Sequence, residues 1–328
     1  MQGWRVEQYG PYRDVLRFGE LEHPQPQPGT ALIRLQAAGV SFAQSLRIAG
    51  TYQIRDPLPF TPGTDAAGEV VAVGADCPFR PGERLMGSAP NGAYAEYVLL
   101  PAGVASRIPD GMPAEDAAAF LNAYMTAYAG VVYQGRVQPG DVLLVHGAAG
   151  GVGLAAVQVG KALGATVIAT ASSAEKLATC RAQGADLAID YTQEDFVQAV
   201  LDFTQGHGAD IVYDPVGGDV FDRSRRCIAF EGRLVVVGFA SGRIPEIAVN
   251  RMLLRTFAVT GFTLHAYRKH RPELLEQAQA HLFRLYGEGK IKPVISQRLP
   301  LSRLLEALEL VERRRVIGKV VLVPDAVQ

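Results

Sequence analysis

The chain has 328 residues, 48% hydrophobic and 20% charged, with a net charge of -1. That length suits about two domains with sizeable cores, and the near-neutral balance excludes an overall pull toward nucleic acid or an acidic membrane surface. Three cysteines, Cys77, Cys180 and Cys227, are odd in number and far apart, which fits a reducing cytosol and a cytoplasmic protein rather than a disulfide framework. The start, Met1-Gln-Gly-Trp-Arg5, reads as lacking a signal peptide, and no apolar run approaches the roughly 18 residues of a membrane span.

The first third is rich in proline and glycine. Short runs of strand character, Thr30 to Ala37, Ala67 to Val73, Arg84 to Met86 and Tyr94 to Leu100, are separated by the turn signals Pro28-Gly29, Pro62-Gly63 and Pro81-Gly82. This pattern predicts a mainly antiparallel β domain. Ala114 to Gly130 reads as a helix leading into a second domain.

Val142 to His146 is then an apolar run of buried-strand character, followed by Gly147, Gly150, Gly151 and Gly153 and an alanine-rich helical stretch to Leu163. Strand, glycine turn and helix form a site for a dinucleotide pyrophosphate. Glycines let the backbone approach the phosphates, and the helix start offers free N–H groups and the positive end of a dipole. Further strands are expected at Ala165 to Thr170, Leu187 to Ile189, Ile211 to Tyr213, Leu234 to Val237 and Phe257 to Thr260. Helices alternate with them, from Ser173 or Ala174 to the Gly184 turn and from Glu194 to Phe203. Such alternation implies a doubly wound parallel sheet. Beyond Phe262 come helices at Glu273 to Tyr286 and Arg303 to Glu312 and a last strand at Lys319 to Val323.

A site for NAD usually places a carboxylate about 20 residues after the glycine turn, to hold the ribose hydroxyls. Ala171-Ser172-Ser173 stand there instead, with Lys176 one helical turn on. No carboxylate sits at that place to repel a 2′-phosphate, and two hydroxyls and a cation are available to it, so NADPH is favoured over NADH, although Glu175 stands beside Lys176. The alternative is that Ser173 only caps a helix and Lys176 is a solvated charge.

The simplest arrangement makes residues 1–121 and 263–328 one catalytic domain, with residues 122–262 inserted as the nucleotide domain and the active site in a cleft. Several segments in one order carry a resemblance over nearly the whole chain: Ala38-Gly-Val-Ser-Phe42, Gly50-Thr-Tyr52, Pro59-Phe-Thr-Pro-Gly63, Gly92-Ala-Tyr-Ala-Glu-Tyr97, Met125-Thr-Ala-Tyr128, His146-Gly-Ala-Ala-Gly-Gly-Val-Gly153 and Gly318-Lys-Val-Val-Leu322. The sequence resembles the medium-chain dehydrogenase/reductase superfamily and, within it, the zinc-free quinone oxidoreductases related to zeta-crystallin. The resemblance implies an α/β fold: a doubly wound parallel-sheet Rossmann domain plus a mainly β GroES-like catalytic domain. It further implies NADPH-dependent hydride transfer to a quinone or conjugated carbonyl, in a homodimer or larger.

The resemblance also implies roles for particular residues. Thr126 meets the nicotinamide side, and Ala149, Gly150, Gly151 and Val152 hold the pyrophosphate. Ser172, Lys176 and Tyr191 surround the ribose and its 2′-phosphate. Phe239, Ala240 and Ser241 line the nicotinamide pocket. Arg314 reaches the 2′-phosphate, and Lys319, in the Gly-Lys turn, lies near the cofactor. Tyr52 and Gln44 line the substrate cleft. The alcohol dehydrogenase branch holds zinc through Cys and His, with a Gly-His-Glu motif; the comparable places here read Gly63-Thr64-Asp65 and Gln44. No cysteine or histidine spacing suits a metal. His146 reads as a satisfied strand-end histidine.

Without a Lewis acid a plain alcohol is a poor substrate. A quinone or an α,β-unsaturated carbonyl accepts hydride directly, and the protein supplies positioning and hydrogen bonds to the developing oxyanion. Tyr52 and Ser41 are candidate donors. Two other readings stand beside the quinone reductase: an enal, enone or enoyl-thioester reductase on the same fold, and an NADPH- or RNA-binding protein without turnover. Only Arg268-Lys-His-Arg271 and Arg313-Arg-Arg315 favour RNA, against the overall charge. Phe257 to Phe262 is an apolar edge strand through which two subunits would join their sheets.

Overall fold

The structure, a computed structural model, describes residues 1–53 and 55–325. Two compact units divide it: Met1–Asn122 with the segment from Ile295 onward, and Ala123–Val294.

In chain order the elements begin β1 (Gln2–Val6), α1 (Tyr12–Val15), β2 (Leu16–Glu20), β3 (Thr30–Val40), α2 (Phe42–Ala49), β4 (Asp65–Val73), β5 (Arg84–Ser88), β6 (Tyr97–Pro101), β7 (Ala105–Arg107) and α3 (Ala114–Tyr128). Next come β8 (Val142–Val145), α4 (Gly151–Ala162), β9 (Thr166–Ala171), α5 (Ala174–Ala182), β10 (Leu187–Asp190), α6 (Phe196–Phe203), β11 (Ala209–Asp214), α7 (Gly218–Ser224) and β12 (Ile228–Val236). The chain closes with α8 (Asn250–Arg255), β13 (Ala258–Gly261), α9 (Leu264–His270), α10 (Pro272–Gly287), β14 (Ile295–Pro300), α11 (Leu304–Glu312) and β15 (Lys319–Val323).

The second unit is built on a six-stranded sheet in the order β10-β9-β8-β11-β12-β13, parallel throughout. Counted from β8 this is the doubly wound order 3-2-1-4-5-6. Leu143, Leu144 and Val145 are buried, as a strand covered on both faces requires. The expected strands and helices fall here within a few residues of their predicted places. β12 is longer than the Leu234 to Val237 run suggests. Glu231 takes a left-handed φ of 59° and the pairing with β11 shifts register there. That bulge breaks the alternation by which the first half would have been read.

The boundary of this unit differs from the expected one. Residues 263–294 belong with the nucleotide unit, and the chain returns to the first unit at Ile295 rather than at 263. The cause is α10. It buries Leu275, Ala278, Leu282 and Leu285, and its His281 Nδ1 meets the Tyr128 hydroxyl at 2.9 Å. Beyond it, the Gln158 side chain bonds Lys292 through both N–H and C=O. An amphipathic pattern marks such a helix but not the sheet it covers.

The first unit holds a mixed sheet, β14-β15-β3-β4-β5-β7, with β6 also paired to β3; all its pairs but β14 with β15 are antiparallel. Its core gathers Trp4, Ile33, Leu35, Ile48, Leu85, Tyr94, Leu100, Leu304, Leu308 and Leu322. Fold class and the GroES-like and Rossmann division agree with expectation. β14 escapes a pattern reading because it is an edge strand whose Ser296, Gln297 and Arg298 are exposed. Among the described residues no helix is long and apolar enough to cross a membrane.

Candidate active site

In the second unit the strand order reverses between β8 and β11, and outside their C-terminal ends a doubly wound sheet offers its ligand crevice. The glycine turn leaves β8 through Gly147 at φ +55°. Gly150 then takes the N-cap position of α4 and has no side chain to cap it, so the first-turn N–H groups are left for an anion. A Cβ on Gly153 would lie 2.4 Å from the Gly147 carbonyl oxygen, so only glycine lets helix and turn close up there. Ala149 is buried; Gly150, Gly151 and Val152 are half-buried at the crevice rim.

Two further loops meet this turn. Val216 and Pro215 side chains pack where a Cβ on Gly147 would point. The 214–218 loop is clasped to the segment after β12: Ala240 N–H donates to Pro215 O at 3.1 Å, Ser241 N–H to Val216 O at 2.9 Å and Gly218 N–H to Arg243 O at 3.1 Å. Phe239, half-buried, sits against Gly217. Phe239, Ala240 and Ser241 are thus held against the 214–218 loop, whose Pro215 and Val216 pack on the glycine turn. Thr126 is half-buried on α3 and hydrogen-bonds none of these segments among the described residues.

At the next strand ends, β10 pairs with β9 so that Asp190 stands opposite Ala171, and Tyr191 N–H donates to Ala171 O at 3.3 Å. This register sets Tyr191 beside the end of β9, where Ser172 follows in the chain. Ser173 is the N-cap of α5, its hydroxyl accepting from Lys176 N–H at 3.4 Å. The capping alternative therefore holds for Ser173, while Ser172 stays half-buried beside it.

In the first unit β3 ends and α2 begins at Ser41, whose side chain caps nothing. Gln44 is buried. Its amide donates to Thr64 Oγ1 at 3.2 Å and its carbonyl accepts Gly63 N–H at 3.1 Å. Each end of the side chain makes one such bond, so Gln44 anchors the 63–65 segment. Tyr52 is half-buried on the loop after α2, held by its N–H to Leu46 O at 3.2 Å. That loop is clamped by Arg47, which bonds both Asp56 oxygens, Pro90 O and Asn91. Lys319 is buried at the start of β15 with its ammonium 3.6 Å from Asp65 Oδ2; its nearest charged partner is a carboxylate of its own chain. Arg314 follows α11, exposed, at φ +55°.

Two groups escape a reading by motif. Asp214 is buried, with Oδ1 accepting Val216 and Gly217 N–H at 2.8 and 2.9 Å and Oδ2 without a partner. Burial raises its carboxyl pKa against those two hydrogen bonds. Its signal in the sequence is an acid ahead of Pro-Val-Gly-Gly. The Asp65–Lys319 pair joins residues more than 250 apart in the chain, and no local signal announces it.

The chain matches the alcohol dehydrogenase GroES-like domain over residues 27–110 and the zinc-binding dehydrogenase family over residues 151–280. A quinone oxidoreductase of Pseudomonas aeruginosa is 36% identical over 95% of this chain and 96% of its own length. A quinone oxidoreductase-like protein 2 homolog of Nematostella vectensis is 39% identical over 90% of this chain and 82% of its own. The Escherichia coli quinone oxidoreductase, solved in complex with NADPH, superposes with a TM-score of 0.92 at 31% identity, covering 99% of this chain and all 100% of that one.

The zinc named in one family description does not fit the residues present. Zinc takes thiolate, imidazole or carboxylate donors. Here Gln44 and Thr64 bond each other, and the one carboxylate, Asp65, faces Thr64 and an ammonium. With two-domain fold, strand order, glycine turn and relatives in agreement, the chain belongs to the quinone oxidoreductase, zeta-crystallin-like family of the medium-chain dehydrogenase/reductase superfamily.

Proposed function

We propose that this protein is an NADPH-dependent oxidoreductase that reduces a quinone without a metal. The observation that carries the reading is the uncapped glycine turn at the switch point, with Ser172 and Lys176 rather than a carboxylate at the end of the neighbouring strand. The NADPH complex of the E. coli relative supports it.

In this reading Ala149 to Val152 receive the pyrophosphate through backbone N–H groups. Ser172, Lys176 and Tyr191 receive the ribose 2′-phosphate. Phe239, Ala240, Ser241 and Thr126 hold the nicotinamide ring in place. When bound, NADPH supplies the hydride. In the first unit the Ser41 hydroxyl, without a partner among the described residues, and Tyr52 are the donors proposed for the acceptor's oxygen.

The test is steady-state NADPH and NADH oxidation with 1,4-benzoquinone, 9,10-phenanthrenequinone, an enal and crotonyl-CoA. Expected are a KM for NADPH about tenfold or more below that for NADH, from the charge-assisted contacts to the extra phosphate, and faster turnover of quinones than of the enal or thioester. Calorimetry without heat for either nucleotide sinks the reading, and crotonyl-CoA outpacing both quinones moves it to the enoyl reductases.

The same reading includes a homodimer in the cytoplasm. β13 ends the parallel sheet with one edge unpaired, and the helix before it exposes Leu253 at 79% and Leu254 at 74%. An open strand edge beside large apolar side chains suits a second copy pairing in the same way. The free thiols of Cys77, Cys180 and Cys227 suit a reducing compartment.

A further inference from the structure

A buried charge stands unmatched in the second unit. Asp214 ends β11 at 1% exposed. Its Oδ1 accepts the Val216 and Gly217 N–H groups, and its Oδ2 meets no donor among the described residues. A buried carboxylate is normally matched by a cation, because an unpaired charge out of water is costly. The charged and titratable groups on the elements around it do not match it. Arg243, after β12, bonds Asp219 and Asp222 of α7, and Arg223 of α7 bonds Asp195. On the neighbouring strand end His146 is neutral, its pKa pushed down to about 3 by burial. Water can complete the hydrogen bonds of such an oxygen but not its charge.

The place of this charge in the second unit gives it a use. Asp214 is the last residue of β11, beside β8, where the strand order reverses. Pro215 and Val216 follow it and pack on the glycine turn at Gly147. Val237 N–H, after β12, donates to Asp214 O at 2.9 Å, and Ala240 and Ser241 N–H donate to Pro215 O and Val216 O. Asp214 therefore stands at the root of both the glycine turn and the Phe239–Ser241 segment, with the Oδ1 bonds fixing the bend between them.

We propose that Asp214 is a specificity-determining residue, whose buried carboxylate makes the second unit favour the oxidised coenzyme over the reduced one. The proposal rests on the NADPH–quinone reading, in which Phe239, Ala240 and Ser241 hold the nicotinamide. The two coenzyme forms share their phosphates and riboses and differ at that ring: oxidised nicotinamide carries a positive charge that the reduced ring lacks. A negative charge in a low-dielectric interior acts over several ångströms, so it distinguishes the two forms without touching either. Tighter binding of the oxidised form shifts the bound couple toward oxidation, and NADPH on the protein is then a stronger hydride donor than NADPH in water.

The experiment measures the dissociation constants of NADP⁺ and NADPH by calorimetry at pH 8, for wild type and Asp214→Asn, and reads their ratio. Asparagine keeps an oxygen for the Val216 and Gly217 N–H groups and drops the charge. A disturbed loop weakens both forms alike and leaves the ratio where it was. Loss of the charge is expected to weaken NADP⁺ relative to NADPH by about tenfold. An unchanged ratio, or one moved the other way, overturns the proposal. Where Asp214→Asn does not fold, wild type decides between pH 8 and pH 5. Burial raises the Asp214 pKa against its two hydrogen bonds, so the carboxylate takes up protons toward pH 5 and NADP⁺ weakens relative to NADPH as pH falls. The 2′-phosphate titrates in both forms and cancels from the ratio, and a flat ratio overturns the proposal. Wild type that binds neither nucleotide overturns the NADPH reading itself, whereas wild type that binds both, at a ratio indifferent to Asp214, overturns the role of Asp214 alone.

Discussion

His146 shows how much one side chain's surroundings decide. It directly follows β8, at the start of the glycine turn, and it is buried. The Ser224 hydroxyl donates to Val220 O at 2.7 Å, so at 2.8 Å it accepts from His146 Nε2. Nδ1 is then bare and accepts the Thr170 hydroxyl at 3.0 Å. The ring is a neutral link in a chain of hydrogen bonds, and burial, with the nearby Arg223, pushes its pKa down to about 3. Above pH 6.5, the ordinary value, neither folded nor unfolded histidine is charged. Between 6.5 and 3 the unfolded chain takes up a proton that the folded one refuses, so this contribution to stability is lost as pH falls, by up to about 1.4 kcal/mol per unit. Urea denaturation of wild type and His146→Asn from pH 7 to 4 is expected to show a steeper acid loss in wild type; parallel curves would refute it. The strand-end reading of His146 was within reach of the sequence. Its partners, 24 and 78 residues away, were not.

The element that matters most is the strand, turn and helix around residues 142–162. Its glycines form one motif in the sequence, but they do different work. Gly150 has open space, with only the Gly147 oxygen at 3.4 Å from a Cβ there, whereas a Cβ on Gly153 meets backbone at 2.4, 2.8 and 2.9 Å. Backbone does not give way as a flexible side chain does. Gly153→Ala is expected to cost about 1–3 kcal/mol, in the range of overpacked cores, and to weaken NADPH binding by displacing the α4 N-terminus. Gly150→Ala is expected to fold with the smaller loss. Thermal melts of the two variants settle the order, and equal melting points would show that the turn relaxes freely. Elsewhere at this scale, alternating or buried apolar runs made most strands legible. The failures share a cause: polar edge strands such as β14, and the bulge in β12, carry no periodic signal.

For the whole molecule the testable question is assembly. If β13 joins two sheets, Leu253→Asp with Leu254→Asp places charge on the apolar surface beside the joint. Sedimentation is expected to show wild type as a dimer and the double variant as a monomer that still binds NADPH. A monomeric wild type at micromolar concentration sinks the proposal.

The sequence by itself determined the architecture. Backbone hydrogen bonding forces period-2 and period-3.6 patterns, and a phosphate site needs glycines in consecutive places, so both are written locally. It also pointed to the preference at the second ribose, because Ser172 and Ser173 in place of a carboxylate at the end of β9 are a matter of residue identity. Tertiary structure alone decided which unit α10 joins, that Gln44 bonds Thr64 and Gly63, that among the described residues Asp214 keeps a bare buried oxygen, and that Lys319 pairs with Asp65. Those facts depend on which distant residues share a low-dielectric interior, and charge and hydrogen-bond accounts close only in three dimensions.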